Sequence, residues 1–202
     1  MKLEQYGITL SRITSDDIEL VRNMRNAPHV RSTMAYRRYI TKSMQKKWFE
    51  RVNNPLNYYL LISYRNEKIG VINIKNIRLD EKWGEGGIFI HEKNYWNTPV
   101  PVLASLCLLN FIFFQLKITD KSFIKILKDN LPSIRYNKIL GYVLVPYQEK
   151  KKNQLYVLTK DAYIEKTEKL RKAATIFSGD TELPRLTGVK SPLNLEQMNI
   201  ML

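Results

Sequence analysis

Residues 86–114 read "GGIFIHEKNYWNTPVPVLASLCLLNFIFF", and how they are read decides the fold. Residues 86–91 have the glycine-to-apolar pattern of a strand, and an aromatic pair and a turn follow. From Val100 the run is apolar for a helix's length. Strand, turn and helix in that order bring a helix N-terminus next to a strand end. There the orphan N–H groups and the helix dipole can receive a phosphate-bearing ligand. Pro99 and Pro101 have no backbone N–H, so a helix that starts near Thr98 offers donors from Val100 and Val102 but none from the prolines. Pro99 near the first helical position is also an ordinary helix start.

Upstream of this stretch, "ITLSRI" (residues 8–13) alternates apolar and polar residues as a half-buried strand does. Thr14 or Ser15 then caps a helix through about Arg25, with Asp16 and Asp17 in the turn where the dipole favours acids, and Pro28 ends it. A second helix spans residues 41–53, with Met44, Trp48 and Val52 on one face. "YYLLISY" and "IGVINIKNI", joined by "RNEK", form a hairpin. Downstream come a strand over residues 121–127, the short helix "DNLPSIRYNKI" with Pro132 in its opening turn, and the strands "YVLVP" and "QLYVLTK". A charged helix over residues 161–176 follows. The order β-α-α-β-β-β-α-β-α-β-β is that of an α/β domain with a mixed sheet. Residues 1–160 are the expected domain. Residues 161–202 are a C-terminal helix and tail whose apolar end either docks on the domain or reaches a partner.

The 202 residues suit one domain with a real hydrophobic core. Cys107 is the only cysteine, so no internal disulfide can form, and with only His29 and His91 beside it no metal cluster is expected. A reducing, cytoplasmic interior is the expected location. "MKLEQYGITL" lacks the apolar core of a signal peptide. Residues 100–116 fall short of the roughly 20 apolar residues a bilayer needs and carry Ser105, Asn110 and Gln115, so no transmembrane segment is expected. With 33 Lys+Arg against 19 Asp+Glu, the net charge of +14 favours anionic partners: nucleic acid, CoA, nucleotide sugars or acidic membranes. No cysteine–histidine finger or RNA-recognition aromatic signature singles out nucleic acid, which is not the expected partner. A homodimer stays open.

The element order and the stretch "VRNMRNAPHVRSTM…ITKSMQKKWFERV" are similar to the GNAT-type N-acetyltransferase superfamily. Within it they resemble the branch that acetylates nucleotide-linked amino sugars and ribosomal-protein N-termini. Arg25, Asn26, Pro28, Val30, Arg31, Met34, Trp48 and Phe49 fall in register with that branch, and the resemblance covers about residues 8–160. It implies a mixed, mostly antiparallel sheet with helices on both faces. It also implies acyl-CoA-dependent acetyl transfer to a primary amine, with a small anionic acceptor such as a nucleotide-linked amino sugar.

The resemblance also implies site residues. "GEGGIFI" is similar to the family strand whose backbone pairs with the pantetheine arm of acetyl-CoA, which implies Ile88, Phe89 and Ile90. Glu85 falls on the strand glutamate, a candidate general base for the acceptor amine, and an ion pair is its plainer reading. Trp96, Asn97, Pro99 and Pro101 stand where the family has a glycine-rich phosphate turn. That leaves the Asn97 amide, the Thr98 hydroxyl and the N–H groups of Val100 and Val102 as donors. "DNLPSIRYNKILGY" is similar to a helix that contacts CoA, implying Asn130 and Ser133. Asn137 holds the position of the tyrosine that protonates the departing thiolate. Tyr136, one residue earlier and about 100° round the helix, is the candidate acid, with packing as its other reading. The "RNAPHVR" loop supplies Arg25, Asn26, His29 and Arg31 for an acceptor phosphate or carboxylate, and His91 ends its strand. These departures support a second reading, a GNAT fold that has lost catalysis and serves as a binding or scaffolding module.

Overall fold

In the computed structural model, which describes residues 1–188, nine strands form one sheet. The chain opens with the hairpin β1 (Lys2–Gln5) and β2 (Ile8–Arg12), then a 3₁₀ turn (Ser15–Asp17) and α1 (Ile18–Asn26). A single helical turn, α2 (Pro28–Arg31), and α3 (Lys42–Val52) follow. The central meander is β3 (Tyr58–Tyr64), β4 (Glu67–Arg78) and β5 (Trp83–Ile90). Next come α4 (Val100–Asn110), extended by a π-helical segment (Phe111–Leu116), and β6 (Lys121–Leu127). The last elements are α5 (Leu131–Ile139), β7 (Val143–Leu144), β8 (Asn153–Thr159), α6 (Lys160–Ser178) and β9 (Arg185–Thr187). The spatial order is β7-β8-β6-β5-β4-β3-β2-β1-β9. Every neighbouring pair is antiparallel except β5 and β6, so the sheet is mixed and mostly antiparallel, as expected.

Local chemistry explains the helix starts. The Asp17 carboxylate accepts from Thr14 N–H (3.1 Å) and Thr14 O–H (2.9 Å), so Thr14 rather than Ser15 sits at the boundary. Thr41 Oγ1 accepts from Met44 N–H (3.2 Å), Asn130 Oδ1 from Ser133 N–H (3.3 Å) and Thr159 Oγ1 from Ala162 N–H (3.2 Å). Pro28 does not simply stop a helix. It opens α2, where its fixed φ and missing N–H suit a first helical position.

Helices flank both faces. On one, α4 lies over the sheet with nine of its eleven residues buried, which is why its sequence is apolar on every side. Ile134 of α5, Leu140 just after it and Tyr163 of α6 join that core. On the other face a smaller cluster joins Val21 of α1 and Trp48 of α3 to Leu61, Val71 and Phe89 of the sheet. The expected apolar stripe of α3 is only partly realised. Met44 is 40% exposed, and the one buried side chain of the helix is Gln45.

Two strands were not anticipated. β1 carries the polar sequence "KLEQ", yet Leu3 and Gln5 are buried, and β9 pairs with it antiparallel. "YVLVP" contributes only the two residues of β7. Residues 161–188 pack onto the domain through a buried polar network. Tyr163 O–H donates to Asn110 Oδ1 (2.7 Å), and Asn110 Nδ2 donates to Gln5 Oε1 (3.1 Å) and Tyr6 Oη (3.2 Å). Gln5 Nε2 in turn donates to the carbonyls of Thr181 and Glu182, each at 2.9 Å. The apolar end of the tail, residues 189–202, lies outside the described residues.

Candidate functional site

The site originates in the one parallel pairing. β5 and β6 are paired only at Trp83–Lys121, Gly84–Ser122 and Glu85–Phe123, after which the strands part. β6 continues against β8 and β5 against β4, so residues 86–90 of β5 form one wall of a V-shaped gap in the sheet.

Antiparallel alternation shows which backbone groups face the gap. His91 N–H donates to Ile69 C=O (2.7 Å), and His91, Phe89 and Gly87 alternate along one edge, so these three turn their backbone groups to β4. A Cβ at Gly70 on β4 would collide with the Phe89 carbonyl, which points the same way and explains why that position has no side chain. The backbone groups of Gly86, Ile88 and Ile90 therefore face the gap. Of the three strand residues expected to meet a pantetheine arm, Ile88 and Ile90 present their backbone to the gap and Phe89 does not. The Ile90 carbonyl is already engaged, accepting from Trp96 Nε1–H at 3.1 Å.

The gap opens into a cleft of about 1460 Å³ that reaches both faces of the sheet. Among the sequence-predicted residues, Glu85, Ile88, Phe89, Ile90, Asn97, Asn130, Ser133, Tyr136 and Arg25 line it. Glu85 sits at the apex, on the face covered by α1 and α3. Its carboxylate meets Lys75 Nζ at 3.0 Å, Asn76 Nδ2 at 3.5 Å and Lys125 Nζ at 4.0 Å. The charged lining comprises Arg25, Lys47, Arg51, Lys75 and Lys125, with Glu85 as its one acid among the described residues.

The other expected residues have structural partners. Asn26 acts as a clamp, since its Nδ2 donates to Ile40 C=O and its Oδ1 accepts from Ile40 N–H, both at 2.8 Å. His29 Nε2–H donates to His91 C=O (2.8 Å) and ties α2 to the end of β5. Thr98 O–H donates to Tyr95 C=O (2.9 Å) while its oxygen accepts from Val100 N–H (3.3 Å), which occupies two of the four donors expected for a phosphate. The α4 ladder begins with Leu103 N–H on Pro99 C=O (3.0 Å), so the Val102 N–H precedes it and Val100 is a capped residue. Neither Arg31 nor Val102 lines the cleft.

Tyr136 borders the cleft, but its hydroxyl turns to α4, donating to Pro101 C=O (3.0 Å) and contacting the Ser105 hydroxyl. Burial raises its pKa well above the ordinary tyrosine value and keeps it protonated. Tyr142, also buried, hydrogen-bonds the Ser122 hydroxyl (2.7 Å) and is pushed up to about 12.

Sequence reading missed Gln45, Arg51, Lys75 and Lys125. The signal for Lys75 and Lys125 is strand alternation combined with register. Lys75 pairs with Glu85, and Lys125 lies two residues beyond Phe123, the partner of Glu85 across the parallel pair. Among the described residues no group of three or more His, Cys, Asp or Glu is placed to hold a metal ion, and no helix is long and apolar enough to cross a membrane.

The sequence profile of the acetyltransferase (GNAT) domain matches residues 8–143. A sequence comparison with curated proteins finds no match. Among solved structures, an apo nucleotide-linked sugar GNAT, FdhC, superposes with a TM-score of 0.67 at 19% identity, covering 84% of this chain and 96% of its own. Spermidine N-acetyltransferase from Vibrio cholerae, in complex with CoA and spermine, gives 0.66 at 12% identity over 78% and 98% of the two chains. The aminoglycoside acetyltransferase AAC(6')-Ib, in complex with coenzyme A, gives 0.67 at 15% identity over 80% and 99%. At these identities the likeness is one of fold.

Proposed function

The chain belongs to the acetyltransferase (GNAT) domain family, and from that premise we propose that it transfers an acetyl group from acetyl-CoA to the primary amine of a small anionic acceptor, a nucleotide-linked amino sugar being the preferred class. The observation that carries the reading is the lining of the cleft, five cationic side chains against one carboxylate. Such a field draws anions and repels a polyamine. It therefore favours the acceptor class named for the sugar-modifying neighbour over spermidine.

The residues present fit acetyl-CoA unevenly. Ile88 turns an N–H and a C=O toward the gap, a suitable partner for an amide-bearing arm, and Asn130 and Ser133 line the same cleft from α5. Asn97 remains for the phosphates, because Thr98 and Val100 bond each other and Val102 lies outside the cleft lining. When bound, acetyl-CoA would supply a thioester: the amine nitrogen bonds to its carbonyl carbon, the C–S bond breaks, and CoA leaves as a thiolate that takes up a proton from solvent. Glu85, at the apex of the gap, takes the proton the amine must lose, directly or through water, with Lys75 and Lys125 holding its carboxylate in place. We assign Tyr136 to fixing α5 against α4, since its O–H already donates to Pro101 C=O.

The engaged Thr98 and Ile90 groups favour a second reading, a GNAT fold that binds without turnover. Calorimetric titration with acetyl-CoA, followed by a thiol-release assay on a nucleotide-linked amino sugar, an aminoglycoside and spermidine, separates the two. Turnover greatest on the sugar nucleotide is the expected result. A preference for spermidine would overturn the anionic acceptor, and absence of acetyl-CoA binding would leave the binding module.

A further inference from the structure

Two arginines of α1 have contrasting surroundings. Arg22 is 7% exposed and fully engaged. Its Nε and Nη2 donate to Glu19 (2.9 and 2.5 Å), and its Nη1 donates to Tyr39 Oη (3.0 Å) and Ile40 C=O (3.2 Å). Arg25, one turn on, lines the cleft with a single hydrogen bond, from Nη2 to Tyr36 C=O (3.1 Å). Its Nη1 is buried without a partner, and among the described residues no carboxylate lies within ion-pair reach of it. Burial lowers its pKa, yet a guanidinium in a protein stays charged. On the same cleft, Gln45 of α3 is 5% exposed and its Nε2 is likewise buried without a partner.

Buried donors in folded proteins are paired in the large majority of cases, and a desolvated cation without an anion is the least favourable exception. Here one guanidinium nitrogen of half-buried Arg25 and the amide nitrogen of buried Gln45, each without a partner, belong to helices that wall one cleft. The complement to that pair is a group with net negative charge and at least two acceptor oxygens, a phosphate or a carboxylate. Glu85 and its two lysines mark the other end of the same wall, at the apex of the gap.

We propose that Arg25 and Gln45 form the seat for the acceptor's anionic group, so that the acceptor lies with its anion under α1 and α3 and its amine at Glu85. This rests on the acetyltransferase reading above. It adds Gln45 as a specificity-determining residue and transfers to it the role that sequence had given Arg31, whose side chain is outside the cleft lining.

The test is calorimetric titration of the full chain with uridine diphosphate and, in a parallel arm, with glutarate, each with and without acetyl-CoA. Tighter binding of one probe identifies the anion as phosphate or carboxylate. Gln45→Glu keeps the shape and puts a carboxylate at the seat, so affinity for the bound probe should fall about tenfold or more. Arg25→Ala should do the same, Gln45→Leu should weaken binding about three- to tenfold, and Arg31→Ala should leave it unchanged. Unaltered affinity in Gln45→Glu, or an equal loss in Arg31→Ala, overturns the seat, as does binding of neither probe. If a probe binds in a Gln45-dependent way while acetyl-CoA does not bind at all, the seat stands and the acetyltransferase reading falls.

Discussion

Asn110 and Gln45 are both buried side-chain amides, 0% and 5% exposed, and their surroundings are opposite. Asn110, between α4, β1 and α6, has both ends of its amide bonded within the protein. Gln45, between α3 and the cleft, has a buried nitrogen with no partner. The saturated amide holds elements together, whereas the unsaturated one belongs to a residue that lines the cleft. Burial alone does not distinguish a structural polar group from a functional one. What distinguishes them is whether the protein supplies the partner.

The largest effect expected on the cleft side comes from Glu85→Gln, which removes the proton acceptor and keeps the shape. Turnover should fall by roughly 10²–10⁴ while the melting temperature moves little. An unchanged rate would return Glu85 to an ion-pair role and weaken the division between the two sides. Asn110→Ala should show the reverse. It leaves the Gln5 Oε1 and Tyr6 Oη acceptors without their donor and the Tyr163 O–H with only the Leu106 carbonyl at 3.4 Å, so stability should drop by about 3 kcal/mol, seen as a melting point lower by roughly 6–12 °C, with KM for the acceptor unaltered. A KM that rises with the loss of stability would mean that the core network also shapes the cleft.

Trp96→Phe sharpens the comparison at a smaller scale. The indole N–H satisfies the Ile90 carbonyl that faces the gap, so its removal should tighten acetyl-CoA binding by about two- to tenfold in a calorimetric titration. Weaker binding would instead show that the indole itself contacts the cofactor. The smallest effect is that of Gln45→Leu on the fold. Removing a donor without a partner should leave thermal stability within about 1 kcal/mol of the parent or slightly raise it. A loss of several kcal/mol would place Gln45 with Asn110.

The fold was largely legible because its long elements carry strong local signals. Alternation marked β2, a turn between two apolar runs marked the β3–β4 hairpin, and Pro132 marked the opening turn of α5. β1 escaped because Gln5 reads as an exposed polar residue and is buried only by the amide network around it. The site was less legible. Glu85, Ile88 and Asn130 come together at the cleft, but where β5 and β6 part is written in neither strand. Asn26 and His29 have residue types suited to a ligand, and packing commits them to Ile40 and His91 instead. Gln45 sits among lysines on α3 and looks solvated, yet it is buried in a helix that packs against α1.

The pairing of β9 with β1 bears on how the chain is made. Arg185 donates to Glu4 at 2.5 Å across a sequence separation of 181 residues, and the Gln5 side chain reaches Thr181 and Glu182. During synthesis at about 5–20 residues per second, β1 waits roughly 10–40 s on the ribosome for the strand that covers its outer edge. Until then it offers a row of unpaired backbone groups to any other extended chain. Nascent chains stalled before residue 185 should therefore depend more on chaperones than chains that include β9, and synthesis of β9 is the step that covers the β1 edge.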